Sequence, residues 1–162
     1  MNENLYDTVI IGGGPAGYTA ALYCARSGLS VLVLEKMTPG GQMASTGQVD
    51  NYPGFDEGID GFTLGERMRK SAERFGAQTR FAEVTAVDLY GQPKRLTTAD
   101  GDILARTVVA ATGAYPRELG LPEEASLRGR GVSYCAACDG MLYKDKSVVV
   151  AGGGNSAAED AL

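Results

Sequence analysis

Three glycines at fixed spacing, Gly12, Gly14 and Gly17 in "VIIGGGPAG", limit this chain more than any other feature, because of what flanks them. Thr8–Ile11 reads as a short buried strand, "YTAALYCARSG" as a helix ended by Gly28, and Ser30–Glu35 as a second buried strand. Apolar runs with little alternation suit a parallel sheet covered on both faces. The G-x-G-x-x-G spacing has a chemical purpose. The first glycine makes a tight turn, the second lets backbone approach a pyrophosphate, and the third lets helix and strand pack closely. The helix start, at Pro15 and Ala16, offers unpaired N–H groups and a positive dipole end to phosphate. Glu35 lies 23 positions after Gly12 at the end of the second strand, where an acid can bond a ribose hydroxyl. Together these predict an α/β, Rossmann-like fold that binds a dinucleotide.

The pattern returns 140 positions later as Gly152, Gly154 and Ala157. The run "SVVVAGGG" before it predicts another buried strand. "NSAAEDAL", opening with Asn155 and Ser156, predicts a helix with Glu159 and Asp160 in its first turn. A second nucleotide site follows from the pattern. Between the two loops, residues 38–61 are too rich in glycine and proline for regular structure, and a loop this long is usually functional. Residues 62–75 read as a helix with Leu64, Met68, Ala72 and Phe75 on one face. Residues 79–89 and 94–98 read as strands joined by "YGQP", and "ADGD" turns the chain into "ILARTVVAATGA". From Pro116 a polar connector begins. A chain that stops a few residues into a helix after a nucleotide-type loop reads as an N-terminal or truncated portion of a longer protein.

Cys135 and Cys138 form a Cys-x-x-Cys pair in "SYCAACDG". A structural zinc site wants four Cys or His ligands, and the chain has three Cys and no His, so no metal is expected. Cys24 sits on an alanine-rich helix and reads as a small core hydrophobe. The pair is then buried wall or a redox dithiol. Two dinucleotide loops flanking it suggest a relay from a nicotinamide through a flavin to a disulfide. Asp139 either starts a turn with Gly140 or handles a proton. Tyr6, Tyr18, Tyr23, Phe62 and Phe75 read as core or interface. Net charge is −5 with no Lys/Arg run, which argues against nucleic acid and anionic membranes as partners. The polar start is unlike a signal peptide, and no apolar run approaches the roughly 20 residues that span a bilayer. With few cysteines, this predicts a cytoplasmic protein.

The ordered motifs "GGGPAGYTAALYCAR", "PGGQ", "DNYPGF", "MRKSAERFGA", "ATGA", "GRGVSYCAACDG" and "GGGNSAAEDAL" resemble the low-molecular-weight, bacterial-type thioredoxin reductases along essentially the whole chain. The resemblance implies two nucleotide-binding domains: the first segment of an FAD domain over residues 1–115, and the start of an incomplete NAD(P)H domain over 116–162 that carries the cysteines. It implies FAD contacts at Gly12, Gly14, Pro15, Ala16, Gly17, Glu35, Lys36, Gly40, Gly41, Gln42, Asn51, Thr112 and Gly113. It implies nicotinamide-side contacts at Gly152, Gly154, Asn155, Ser156 and Ala157. Cys138 would face the flavin, Cys135 would attack the disulfide of thioredoxin or a thioredoxin-like protein, and Asp139 would move the proton. NADPH as donor and a homodimer are implied too. Two departures stand out: Ala137 where Thr is commoner, and Asn155 where Asp is frequent. The same build also allows a reductase serving a peroxiredoxin partner, one fed by ferredoxin or reduced flavin, or a non-catalytic FAD-binding fragment.

Overall fold

A computed structural model describes residues 5–162; residues 1–4, part of the polar start weighed against a signal peptide, lie outside the described residues. The chain divides into two compact units, Met1–Gly113 and Ala114–Leu162.

The first unit is built on a sheet of β1 (Leu5–Ile11), β2 (Val31–Glu35), β3 (Gln78–Phe81), β4 (Val84–Asp88), β5 (Lys94–Thr98) and β6 (Gly101–Ala110), in spatial order β3-β2-β1-β6-β5-β4. β1 pairs in parallel with β2 and with β6, and β2 with β3, while β5 runs antiparallel to both β4 and β6. The chain leaves β1 through α1 (Pro15–Arg26) to reach β2 on one side, and reaches β6 on the other. The strand order therefore reverses at β1, and ligands of open α/β sheets bind outside the carboxyl ends of the strands at such a point.

Side-chain alternation divides the core between the two faces. Ile10, Val31 and Val33 join Tyr18, Ala21 and Ala25 of α1 and Ala72 of α2 (Gly61–Glu73) on one face. Val9, Leu32 and Leu34 point the other way and join Leu96 of β5 and Ile103 of β6. Each fully buried Val, Leu or Ile contributes about 1.5–3 kcal/mol, so β1 and β2, buried on both faces, anchor this unit. Gly28, at φ +81, closes α1, and the Asp60 carboxylate caps α2 by accepting from Thr63 N at 2.8 Å. Such a cap contributes about 1 kcal/mol. Cys24 is free and packs beside the first cluster, as expected of a small hydrophobe.

The second unit contains the short helices α3 (Glu124–Leu127), α4 (Ala136–Asp139) and α5 (Asn155–Asp160) and a 3-10 turn at Gly140–Tyr143.

Several expectations need correction. The run 147–150 forms no strand, and Val148, Val149 and Val150 are exposed. A strand must pair its backbone N–H and C=O groups with a neighbour, and among the described residues of this unit no strand lies beside it. The expected strand 79–89 is two strands: β3 pairs with β2, and β4 turns away to pair with β5. Phe75 lies past the end of α2 and is exposed, as are Tyr23 and Phe62, whereas Tyr6 and Tyr18 are buried. Glu159 and Asp160 stand in the last turn of α5, because the helix starts at Asn155.

Candidate functional site

Three segments meet at the carboxyl end of β1. The glycine loop leaves the strand at Gly12, whose amide donates to Leu34 O at 2.8 Å. Gly12 has φ +104, and a Cβ there would strike Ala111 O, so neither the turn nor the neighbouring chain admits a side chain. Gly17 is closed in the same way, since a Cβ would run into Gly12 O. Gly14 differs: it precedes α1, and a Cβ there meets no protein atom within 4 Å. Pro15 and Ala16, both exposed, open the helix with no side-chain cap. The amides of the first turn are therefore left for an outside acceptor. These features fit a pyrophosphate: the first and third glycines are used by the protein itself, and the second faces open space.

The second segment is the turn before the 3-10 helix Gly41–Ser45. Gly40 N donates to Gly13 O at 2.8 Å, and Gly40 and Gly41, at φ +106 and +58, bend this stretch against the glycine loop. A Cβ on Gly41 would lie 3.4 Å from Gly14 Cα. Helix α2 holds the turn in place: a Cβ on Gly65 would lie 2.7 Å from Gly40 Cα. The sequence reading found the α2 helix but missed Gly61 and Gly65 as the surface that seats this turn. Their spacing of four on a helix was the available signal. Gln42 lies exposed in the 3-10 helix.

The third segment follows β6. Ala111 N donates to Ile11 O at 2.9 Å, which carries Thr112 and Gly113 (φ +73) past Gly12.

Glu35 ends β2 as expected, and its carboxylate is buried. Oε2 accepts from Gly13 N at 2.7 Å and Oε1 from Met37 N at 3.0 Å. Each oxygen retains acceptor capacity, so Glu35 braces the loop and still has room for a hydroxyl donor. Beside it the Tyr18 phenol is pushed up to about 12 by burial, with the Thr79 hydroxyl acting in the opposite sense. Among the described residues, neither hydroxyl has a partner at full hydrogen-bond geometry. Lys36 is exposed and pairs with Glu83 at 2.7 Å. Asn51 stands in a loop braced by the Val49–Ile59 bridge and by Gln48, whose Nε2 donates to Asp50 Oδ1 and Glu57 O at 3.0 Å. Residues 50–56 line a shallow concavity there.

In the second unit Cys135 and Cys138 form a disulfide, with Cα atoms 5.3 Å apart. Cys138 is exposed and Cys135 half-buried. Amides of Cys138 and Asp139 donate to Cys135 O at 3.2 and 3.1 Å, closing a single helical turn around the bridge. Ala136 N donates to Asp160 Oδ1 at 3.1 Å, so α5 braces the start of α4.

The approach to Cys135 is pinned by a residue the sequence reading passed over. Glu124 is buried and accepts from Leu119, Gly120 and Leu121 amides at 2.8, 2.7 and 3.0 Å, and from the Tyr134 hydroxyl. The Tyr134 bond, then the backbone donors, hold the Glu124 carboxyl down at about 2, and the same bond raises the Tyr134 phenol. A glutamate in a polar connector carries no sequence signal for this, since its partners are three backbone amides and a tyrosine ten residues on.

At the second glycine loop, Gly152 has φ +142, and a Cβ there would lie 3.1 Å from Ala157 Cβ. Gly154 precedes α5 with open space around it, and Asn155 and Ser156 lie exposed on the first turn. Among the described residues, no group of three or more His, Cys, Asp or Glu side chains is placed to hold a metal, and no helix is long and apolar enough to cross a membrane.

The model of the pyridine nucleotide-disulphide oxidoreductases matches residues 6–162. The chain belongs to that family. A thioredoxin reductase from Streptomyces coelicolor is 50% identical over 161 residues, covering 98% of this chain and 50% of the relative. A glucosaminate ammonia-lyase from Pseudomonas fluorescens is 47% identical over 154 residues, 95% of this chain and 48% of its own. The crystal structure of a thioredoxin reductase from Streptococcus pyogenes superposes with TM-score 0.88 at 47% identity, covering 99% of this chain and 52% of that one. The chain spans about half the length of the curated relatives it matches. Membership of the family implies flavin and nicotinamide cofactors.

Proposed function

We propose that this chain carries the first half of a flavoprotein disulfide reductase of the thioredoxin reductase type. The observation that carries the proposal is the Cys135–Cys138 disulfide, with Asp139 on the same helical turn, in a chain that also holds two dinucleotide-type glycine loops. In this reading the unit ending at Gly113 belongs to an FAD domain and the one beginning at Ala114 to an NADPH domain. Gly14, Ala16 and the amides of the first turn of α1 would hold the FAD pyrophosphate, with Glu35 on a ribose hydroxyl. Gly40, Gly41, Gln42, Asn51, Thr112 and Gly113 would flank the rest. Gly152, Gly154, Asn155, Ser156 and Ala157 would receive the nicotinamide cofactor. When bound, NADPH and FAD supply a hydride donor and its two-electron acceptor.

The chain's own residues do the sulfur chemistry. The Cys135–Cys138 bond takes up two electrons and breaks, leaving a thiol and a thiolate after one proton is gained. Cys135 thiolate attacks the partner disulfide, forming a mixed disulfide and releasing one partner thiolate. Asp139 passes to this leaving group the proton that it takes from the Cys138 thiol. The Cys138 thiolate then attacks the Cys135 sulfur, which re-forms the bridge and releases the second partner thiolate, protonated by water. The partner is thioredoxin or a protein like it, a reading supported by the names of the relatives. The resemblance extends the proposal to a homodimer working in the cytoplasm.

The test uses the full-length protein. It is expected to purify yellow with FAD and to reduce a thioredoxin disulfide at the expense of NADPH, and Cys135→Ser or Cys138→Ser each abolishes this reduction. A colourless protein that gains no flavin absorbance with added FAD, or normal partner reduction by either variant, overturns it.

A further inference from the structure

Ser133 precedes the cysteine pair, and its hydroxyl lies at the centre of the motif. Its Oγ is 2.7 Å from Asp139 Oδ2 and 3.3 Å from Cys135 O, and it accepts from Cys135 N at 3.2 Å. A serine hydroxyl has one hydrogen to give. The Asp139 carboxyl group takes it, because at 2.7 Å that contact lies within the usual O–H···O range and the 3.3 Å contact to Cys135 O does not. The hydroxyl therefore donates to Asp139 while accepting from the backbone of Cys135. Asp139 is half-buried on the turn that the disulfide closes. Without that anchor its χ1 is free to take another staggered well and its χ2 to turn over a broad range, and the carboxylate spends less time beside the sulfurs.

We propose that Ser133 is a positioning residue for disulfide exchange: it ties the Asp139 carboxylate to the Cys135 backbone, so that the proton reaches the leaving thiolate from a fixed place. The inference rests on the role proposed above for Asp139. Ser133 itself moves no electrons, so it acts only through the acid it holds. General acid–base catalysis contributes about a hundredfold or more, and a loosened acid forfeits part of that.

The test is a double-mutant cycle in the full-length, FAD-loaded protein: Ser133→Ala, Asp139→Asn and both together, with kcat and KM for oxidised thioredoxin and the separate rate of flavin reduction by NADPH. Ser133→Ala is expected to lower kcat about tenfold while KM and flavin reduction stay unchanged. Added to Asp139→Asn, it costs little more, because residues acting as one unit are not additive. Ser133→Thr, which keeps the hydroxyl, restores most of the rate, and Ser133→Val, its apolar match in shape, does not. The Thr/Val pair serves in the same way if the alanine variant loses its flavin. Two results overturn the inference and leave the role of Asp139 standing: an unchanged kcat in Ser133→Ala beside a slowed Asp139→Asn, or an equal loss from Ser133→Ala in both backgrounds. An Asp139→Asn variant of normal rate removes the acid's role, and the positioning of it with it.

Discussion

The two glycine loops share a backbone and differ in what surrounds it. Gly12 and Gly152 both take positive φ, +104 and +142, and Gly14 and Gly154 both precede a helix in extended conformation, at φ −79, ψ −175 and φ −92, ψ 177. Around the first loop the protein is closed: a Cβ on Gly13 would lie 2.9 Å from Glu35 Oε2 and 3.0 Å from the Tyr18 hydroxyl. Around the second it is open, and a Cβ on Gly153 meets nothing within 4 Å. The strand before the first loop is buried between β2 and β6, whereas Val148, Val149 and Val150 before the second lie exposed and unpaired in any sheet. The loop is therefore a local structure, set by its glycines and the helix start. The strand is a property of its neighbours.

This difference is broken first at the third loop position. Gly17→Ala forces a Cβ into Gly12 O and is expected to cost about 3 kcal/mol, an overpacking penalty in a site that cannot yield. The mirror change, Ala157→Gly, removes one methyl from an open loop and costs about 1 kcal/mol. Denaturant unfolding of the full-length variants measures both, and equal losses would mean that the two loops are equally enclosed.

The second position separates folding from binding. Gly14→Val meets no protein atom, so the fold is expected to survive while the approach of the pyrophosphate is blocked. Flavin absorbance per protein should fall to a small fraction of the parent value with little change in solubility. Unchanged flavin content would move the FAD site elsewhere.

The units also differ in what an ionised group does for them. Around Tyr134 the second unit relies on the Glu124 carboxylate, whose pKa falls from its ordinary 4.5 to about 2 on folding, led by the Tyr134 bond. A depressed folded value means that this contribution is present above about 4.5 and is lost as pH falls towards 2. Near-ultraviolet dichroism of the tyrosines in an acid titration follows it, and Glu124→Gln is expected to flatten the profile in that window. A profile unchanged by the substitution would show that the carboxylate does not hold Tyr134.

The smallest effect is expected at Tyr18. Its phenol, pushed up to about 12 by burial, favours the neutral folded state, so this contribution is present below about 10 and lost as pH rises towards 12. Since among the described residues the hydroxyl has no partner at full hydrogen-bond geometry, Tyr18→Phe is expected to change stability at neutral pH by under about 1 kcal/mol. A larger loss would reveal a partner for that hydroxyl.

Sequence made the first unit legible where periodicity and glycine spacing coincide. The strand–loop–helix–strand from Thr8 to Glu35 needs only local pattern and burial, and it forms as read. The break between β3 and β4 was not legible, because no glycine or proline interrupts "TRFAEVTAVD" where the pairing partner changes. The strand at 147–150 failed for the same reason, since hydrophobicity cannot state whether a neighbour is present. At the cysteines the pair itself was legible from its spacing. Its supports were not: Ser133, Tyr134, Glu124 and Asp160 are ordinary polar residues that acquire meaning only through contacts made in the folded chain.

The most direct test of the disulfide relay is to mix each single cysteine variant of the full-length protein with a single-disulfide thioredoxin under NADPH and look for a covalent adduct on a non-reducing gel. Cys138→Ser keeps the attacking sulfur and lacks the resolving one, so a mixed disulfide through Cys135 is expected to accumulate and to vanish on adding a thiol reductant. Cys135→Ser is expected to hold flavin, to be reduced by NADPH and to capture little partner. Capture by Cys135→Ser in place of Cys138→Ser would reverse the assigned roles, and adducts with neither, alongside normal turnover, would contradict a relay through this pair.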